Sequence, residues 1–462
     1  MTQDATAADL EPDKKAVTTA ISSGVIGTAV EYYDFFIYGT AAALVLNKLF
    51  FPTFSPVLGT LAAFATFAVG FIMRPIGAIV LGHVGDRVGR KKALVWSLLL
   101  MGVATFLIGC LPTYDTIGVL APTLLVLLRL VQGVALGGEW GGATVLASEY
   151  ASRERRGLLA SFVQMGSPIG LVLASGAFAL VGLAPTEFVA SWGWRIPFWA
   201  SAVLVAVGLY IRTQIMESPE FRRATAAGEM AAVRTPVVEV LAHSRRELLI
   251  ALGIRLIPDI GFYLAATFLV SYAVSTLGYP RGAVLACVVA AAAIEVLTIP
   301  FFGSLSDRIG RKKVYLAGVV FWIVLAFPLF AMISSGSLAL TLVAVVLALA
   351  VGHASTWGLG AAINAELFPT RYRTTGAALG LNVANIIAGG PAPLVASALV
   401  IAAGGGYWLV SLYIVVAALI SLAAVLAMPE TRGRDLSIDP TGRATPLVAG
   451  SVPAPGTKES AL

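Results

Sequence analysis

The chain has 462 residues, of which 58% are hydrophobic and only 12% charged, against about half and about a quarter in an ordinary soluble domain. Mean hydropathy is +0.88, and apolar runs of about 20 residues recur with the charges clustered between them, which excludes soluble enzymes, nucleic-acid binders and fibrous proteins. What is left is an all-helical polytopic membrane protein, and the net charge of +6 sits beside apolar spans as membrane topology requires, so it points to the lipid bilayer and to no nucleic-acid partner.

The N-terminal segment 1–18 is polar and acidic (Asp4, Asp9, Glu11, Asp13), unlike a cleaved signal peptide. Twelve spans are predicted beyond it, near 19–46, 57–82, 93–111, 119–148, 157–182, 194–212, 248–276, 282–303, 314–333, 338–366, 374–401 and 406–428. The long polar gap 213–247 separates a six-helix bundle at 19–212 from a second at 248–428. Lys and Arg concentrate in the gaps that follow the even-numbered spans, whereas the opposite ends carry only Lys48, Arg195 and Arg281. The positive-inside rule therefore predicts cytoplasmic N- and C-termini, with 213–247 a cytoplasmic loop. The tail 429–462, rich in Pro, Gly, Ser and Thr and without heptads, is predicted to be disordered and cytoplasmic. The two cysteines, Cys110 and Cys287, fall inside apolar runs; with three histidines there is no metal or cofactor pattern.

An internal repeat marks the two halves. The run Gly82-His83-Val84-Gly85-Asp86-Arg87-Val88-Gly89-Arg90-Lys91-Lys92 returns as Gly303-Ser304-Leu305-Ser306-Asp307-Arg308-Ile309-Gly310-Arg311-Lys312-Lys313, 221 residues later, with seven of eleven positions identical. Glycines permit the tight turn, and the aspartate can cap a neighbouring helix or pair with an arginine. A second echo places Glu149 before Arg153, Arg155 and Arg156, and Glu366 before Arg371 and Arg373. These runs resemble the major facilitator superfamily over essentially the whole chain. More narrowly, Glu31-Tyr32-Tyr33-Asp34-Phe35-Phe36-Ile37-Tyr38-Gly39, Gln132-Gly133 through Gly137-Gly138-Glu139-Trp140-Gly141-Gly142, Trp194-Arg195-Ile196-Pro197-Phe198, Glu217-Ser218-Pro219 and Glu366-Leu367-Phe368-Pro369-Thr370-Arg371 resemble its metabolite:proton symporters. The resemblance implies two six-helix halves around a central cavity that opens to each side in turn, in a protein working as a monomer. It also implies a cytoplasmic clamp built from Asp86, Arg87, Arg90 and Glu149 in one half and Asp307, Arg308, Arg311 and Glu366 in the other.

Five acids (Glu31, Asp34, Glu139, Asp259, Glu295) and three bases (Arg74, Arg129, Arg255) lie deep in spans. Each costs at least ~2.5–3.5 kcal/mol near the bilayer centre unless it has a partner, water or a cavity. Glu31 and Asp34 share one face of span 1 and resist ionising together, which suits proton coupling; a structural pair with an arginine of another span is the alternative. Arg129, in Leu125-x-x-x-Arg129-x-x-Gln132-Gly133, is the expected counter-charge. Arg74 lies too deep for easy snorkelling, so it lines the cavity or packs. Arg255 and Asp259 are spaced to pair within their own helix, with Pro258 between them, or to touch substrate. Glu295 has no evident partner in the sequence, and Glu139 sits in a close-packing glycine segment. Tyr32, Tyr38, Gln132, Trp357, Asn382 and Asn385 complete the expected substrate site, with His353 and Asn364 as further polar groups of span 10.

A guanidinium offered to a cavity suits a carboxylate, because its planar fork is bidentate. The expected function is symport of a small organic acid with protons. A zwitterionic osmolyte is second, marked down because osmosensing relatives resemble one another in a long C-terminal coiled coil that this tail does not show. Passive uniport is third. A membrane enzyme needs a nucleophile, base or metal constellation, and none is evident.

Overall fold

The computed structural model describes residues 14–88, 90–137, 151–214, 236–369 and 373–434, with the side chains of 14–20, 82–94, 211–214, 236–239 and 374 outside that description. Glu139 and Glu149, the loop 215–235 and the tail beyond Arg434 therefore lie outside the described residues, as do the side chains of Asp86, Arg87 and Arg90.

Twelve long helical segments cross the described chain. They are α1 (Lys14–Ala41, continued by Ala42–Leu46 and Asn47–Phe50), α2 (Pro56–Ile72 and Arg74–Val88), α3 (Arg90–Cys110) and α4 (Leu120–Gly137). Next come α5 (Arg156–Val181), α6 (Gly193–Tyr210), α7 (Arg245–Thr276), α8 (Arg281–Ile309), α9 (Arg311–Ile333), α10 (Leu338–Leu367), α11 (Thr375–Ala402) and α12 (Trp408–Ala427). Ten are long and apolar enough by themselves to cross a bilayer. The other two are α1, diluted by Glu31, Tyr32, Tyr33 and Asp34 at its centre, and α3, whose described apolar part is Val95–Cys110. An all-helical architecture satisfies every backbone group inside its own segment, which a bilayer demands.

Packing follows residue size. α2 and α4 meet through Gly70 and Gly77 on one side and Gly133 and Gly137 on the other; an added Cβ would run into the facing backbone at Gly77, Gly133 and Gly137 and into the Arg129 side chain at Gly70. In the second half α7 packs on α12 and α11, α8 on α10, and α9 on α12. The halves touch where α5 meets α8 and α10 and where α2 meets α11. The α5–α8 and α2–α11 pairings interchange under a shift of six helices, as an internal two-fold relation requires. The outer faces carry Trp96, Leu100 and Val103 on α3, Val203 and Val207 on α6, Val320 and Val324 on α9, and Val416 and Leu419 on α12, all exposed. Apolar side chains around the whole circumference fit a lipid-facing surface.

Helix breaks are supplied with partners. Pro258 in α7 has no N–H for the Ile254 carbonyl, and the Tyr315 hydroxyl of α9 donates to that oxygen instead. On the neighbouring turn Ser421 of α12 accepts from the Ile257 N–H at 3.1 Å and donates to the Gly253 carbonyl at 2.7 Å. Wide π turns occur at Ala42–Leu46, Leu264–Phe268, Tyr272–Thr276, Leu347–His353 and Asn385–Gly389. All fall in α1, α7, α10 and α11, and such turns mark helices that reshape around a site.

Candidate functional site

A narrow cavity lies between the halves, lined by Tyr32 of α1, Ser167 of α5, Asp259, Phe262 and Tyr263 of α7, His353 and Trp357 of α10, and Asn385 of α11. Each half contributes to the wall. Gln164 of α5 donates to the Trp357 carbonyl at 3.2 Å and the Trp357 indole N–H donates to the Gln164 carbonyl at 3.3 Å, a reciprocal link from one half to the other. Tyr32 meets Trp357 edge-on with centroids 6.0 Å apart.

Arg255 and Asp259 form the intrahelical pair that their spacing predicts, with Nη2 donating to Oδ1 at 2.9 Å. The Arg255 guanidinium lies 4.4 Å from the Trp357 ring. The second oxygen, Asp259 Oδ2, is buried without a hydrogen-bond partner. Asp259 thus belongs at once to the ion pair and to the cavity wall.

Arg74 is 7% exposed and rests on Phe71 and Phe35, 4.6 and 5.2 Å from the ring centroids. Among the described residues it makes no hydrogen bond or ion pair, and its Nε is buried unsatisfied. Arg74 is outside the cavity lining, but its charge reaches three residues that are in it, Asp259, Tyr263 and Tyr32. A buried guanidinium held only by aromatic faces has its whole hydrogen-bonding fork to offer.

Arg129 is placed differently from expectation. It is fully buried, and donates from Nε to the Thr66 carbonyl at 3.4 Å, from Nη2 to the Phe67 carbonyl at 2.9 Å and from Nη1 to Gln132 Oε1 at 2.8 Å. Gln132 in turn donates to Thr105 at 2.7 Å, and the Tyr38 ring lies 4.1 Å from the guanidinium. None of these bonds reaches Asp34 or Glu31, so the expected ion pair is not formed. Gly70 is the physical reason: with no Cβ in the way, the guanidinium reaches the carbonyl oxygens of α2, where a side chain at that position would press on Nη2. Tyr38 and Gln132, expected at the substrate site, are placed as supports of Arg129, with the Tyr38 hydroxyl 2.5 Å from Thr66 Oγ1.

Asp34 is 1% exposed and neither carboxyl oxygen has a hydrogen-bond partner among the described residues. Thr105, the hydroxyl it faces, already donates to the Met101 carbonyl. Glu31, one turn earlier, is buried and acts on Tyr32 and Tyr263. Asn382 is buried outside the cavity lining, one turn before Asn385. Gln164, Ser167, Phe262 and Tyr263 are lining or linking residues that sequence reasoning missed; Tyr263 alone carried a signal, one helical turn beyond Asp259.

Glu295 finds the distant partner that the sequence did not disclose: its Oε1 meets His353 Nδ1 across α8 and α10.

At the basic-loop face a polar clamp joins the halves. Asp307, in the second copy of the repeat, accepts from the Gly157 and Leu158 N–H groups at the start of α5, at 2.9 and 2.8 Å, and pairs with Arg311 at 2.6 Å. A carboxylate there meets unpaired N–H groups and the positive end of the helix dipole. Glu366 accepts from Arg156 of the other half at 3.1 Å, from Arg311 at 3.4 Å and from Thr431 at 2.7 Å. Gly310 turns the α8–α9 loop at φ +109°, open only to glycine, with Glu430 against it accepting from the Arg311 N–H at 2.9 Å. Arg308, expected in the clamp, is exposed beside it. At the far face Arg281 of α8 donates to the Leu44 carbonyl of α1 at 3.4 Å, joining the halves there, and beside the cavity Tyr263 packs on Phe71 with centroids 5.6 Å apart.

Comparison with known proteins agrees with this geometry. The family profile described as "Sugar (and other) transporter" matches residues 20–236, and that described as "Major Facilitator Superfamily" matches residues 260–455. The chain is 39% identical to the shikimate transporter of Escherichia coli (strain K12), over 88% of this chain and 93% of that one. It is 41% identical to the inner membrane metabolite transport protein YhjE of the same organism, over 90% and 94%, and 32% identical to its proline/betaine transporter, over 92% and 86%. The crystal structure of a D-xylose-proton symporter shares the fold with a TM-score of 0.71 over 91% of this chain and 100% of that one, at 19% identity. With its paired six-helix halves, shared cavity and duplicated clamp loop, this multi-pass chain belongs to the major facilitator superfamily of membrane transporters.

Proposed function

We propose that the protein carries a small organic acid, of the hydroxylated or keto carboxylate class, into the cell together with protons by alternating access. The observation that carries the substrate class is Arg74, a buried guanidinium whose charge reaches the cavity-lining Asp259, Tyr263 and Tyr32 and which has no anion of its own among the described residues. A substrate carboxylate would complete it, while Asp259, Asn385, Tyr32 and Tyr263 supply partners for hydroxyl or keto oxygens. Asp34, buried with both oxygens unmatched, supports the proton half of the cycle, with Glu31 on the same face. The likeness to a shikimate transporter, at 39% identity, supports an acid of that kind. The distribution of Lys and Arg supports cytoplasmic termini, and the bacterial relatives support an inner membrane.

The second reading is a zwitterionic osmolyte, which the aromatic side chains of the cavity favour, since they attract quaternary ammonium groups. The Trp357 face, however, already carries the Arg255 cation, and the acid is preferred.

The deciding experiment is uptake of radiolabelled shikimate, other organic acids and betaine into proteoliposomes under an imposed inward proton gradient. An acid accumulates, a protonophore abolishes the accumulation, and betaine does not compete. Uptake indifferent to the gradient, or driven by sodium alone, refutes the symport; betaine carried in preference to every acid refutes the substrate class.

A further inference from the structure

We propose that Glu295 and His353 form a second proton-binding site, in the C-terminal half, that takes up and releases one proton through the central cavity. This rests on the proton-coupled reading above and extends it to a pair that lies apart from Asp34 and Glu31. Glu295 is fully buried at mid-length in α8, and His353 ends the π turn of α10. Their contact is Nδ1 to Oε1. Ile299, one turn beyond Glu295, and Ala354 and Trp357, next to and one turn beyond His353, belong to one apolar cluster.

A pair kept only for packing would have its polar atoms matched, because unmatched buried groups are costly. Here Glu295 Oε2 has no partner, and the histidine's Nε2 has none among the described residues. The imidazole also lines the cavity. One nitrogen is thus fixed by a carboxylate while the ring borders the space that water enters when the cavity opens. The step balances simply. A proton from water forms an N–H bond at Nε2 using the ring nitrogen's lone pair, and Nδ1–H stays hydrogen-bonded to Glu295. The imidazolium and the carboxylate then cancel, and loss of the Nε2 proton leaves the pair with a net charge of minus one.

The groups around the pair tie it to the substrate. From α7, Arg255, already bonded to Asp259, brings its charge to the imidazole and the Phe262 ring lies 4.4 Å from it between centroids, while Asp259 and Tyr263 of α7 and Tyr32 of α1 line the same cavity. His353 stacks on Trp357 at 5.3 Å between centroids, and the Arg255 guanidinium lies 4.4 Å from the same indole. An acid bound by Arg74 and sharing Arg255 adds negative charge next to the ring and so favours the proton-loaded pair. By reciprocity the loaded pair favours the acid.

Two measurements test this. In proteoliposomes with shikimate as the probe acid, Glu295→Gln and His353→Gln should each lose proton-driven accumulation far more than exchange of external for internal shikimate. If the wild type accumulates and both variants match it, the second site is wrong and the symport stands. If the wild type itself ignores the gradient, both readings fall. The second measurement needs neither transport nor a stable variant at the carboxylate: 15N-imidazole spectra of the wild type in nanodiscs, where only His83, His243 and His353 contribute. The signal absent from His353→Gln should gain a doubly protonated population as the pH is lowered, and move toward that form when shikimate is added. A His353 signal fixed in one state throughout overturns the proposal.

Discussion

Arg74 and Arg129 are both buried arginines with aromatic rings around them, and their hydrogen bonds separate their roles. Arg129 has spent its fork on Thr66, Phe67 and Gln132, whereas Arg74 makes no such bond among the described residues. Arg74→Ala should therefore weaken binding of an acid by about ten- to a hundredfold, the worth of a charge-assisted hydrogen bond of ~1.5–3 kcal/mol. Affinity for the corresponding amide should change far less, and melting temperature little. Arg129→Ala should do the reverse: it strands two carbonyls and Gln132, so stability falls while acid and amide lose affinity together. Tryptophan-fluorescence titrations of acid and amide on both variants decide this, and selective loss of the acid in Arg129→Ala would exchange the two assignments. The cost of a charge in lipid made both arginines legible in the sequence. Their partners were not, because a backbone carbonyl leaves no mark on residue type and the opening at Gly70 exists only once α2 and α4 are packed. Glu295 and His353 were hidden for a related reason: 58 residues and a helix crossing separate them.

Apolar length made the helices themselves legible, since a bilayer admits few alternatives to a continuous helix of about 20 residues. The Arg255–Asp259 pair was legible too, because its geometry is set inside one helix. The π turns of α1, α7, α10 and α11 were not, because an extra residue per turn follows from how neighbouring helices pack and not from composition. Close packing is where an element-level prediction can be made. A Cβ at Gly133 would enter the Gly70 backbone, whereas Gly176 in α5 has nothing within 4 Å of an added Cβ. Gly133→Val should lower the melting temperature markedly, in line with overpacking of ~1–3 kcal/mol. Gly176→Ala should match the wild type or exceed it slightly, since alanine is the better helix former by up to ~1 kcal/mol. Equal thermal stability of the two variants in the same detergent would contradict the packing described for α2 and α4.

For the molecule as a whole, the halves are joined at its two ends by different chemistry. An arginine–carbonyl bond joins them at the far end, while carboxylates bridging both halves hold the basic-loop end. Water can replace the partners of a charged clamp as it parts, so the clamp adjusts the balance between two states without touching the cavity. Asp307 is the informative position, because its two oxygens accept from Gly157 and Leu158 of the opposite half. Asp307→Asn keeps the shape but offers one acceptor oxygen and one donor, so one of those N–H groups loses its partner and the helix end loses its negative charge. The population open at the basic-loop face should rise. A cysteine placed at Ser161, one turn inside the clamp and against Gly303, should then be alkylated several times faster by a membrane-impermeant maleimide added from that face. Cys110 and Cys287 would first be replaced by alanine. Turnover should slow while equilibrium affinity for the acid stays within about twofold, less than ~0.5 kcal/mol, because no cavity residue changes. Unaltered labelling together with a large loss of affinity would place Asp307 in the substrate pathway and remove it from the clamp.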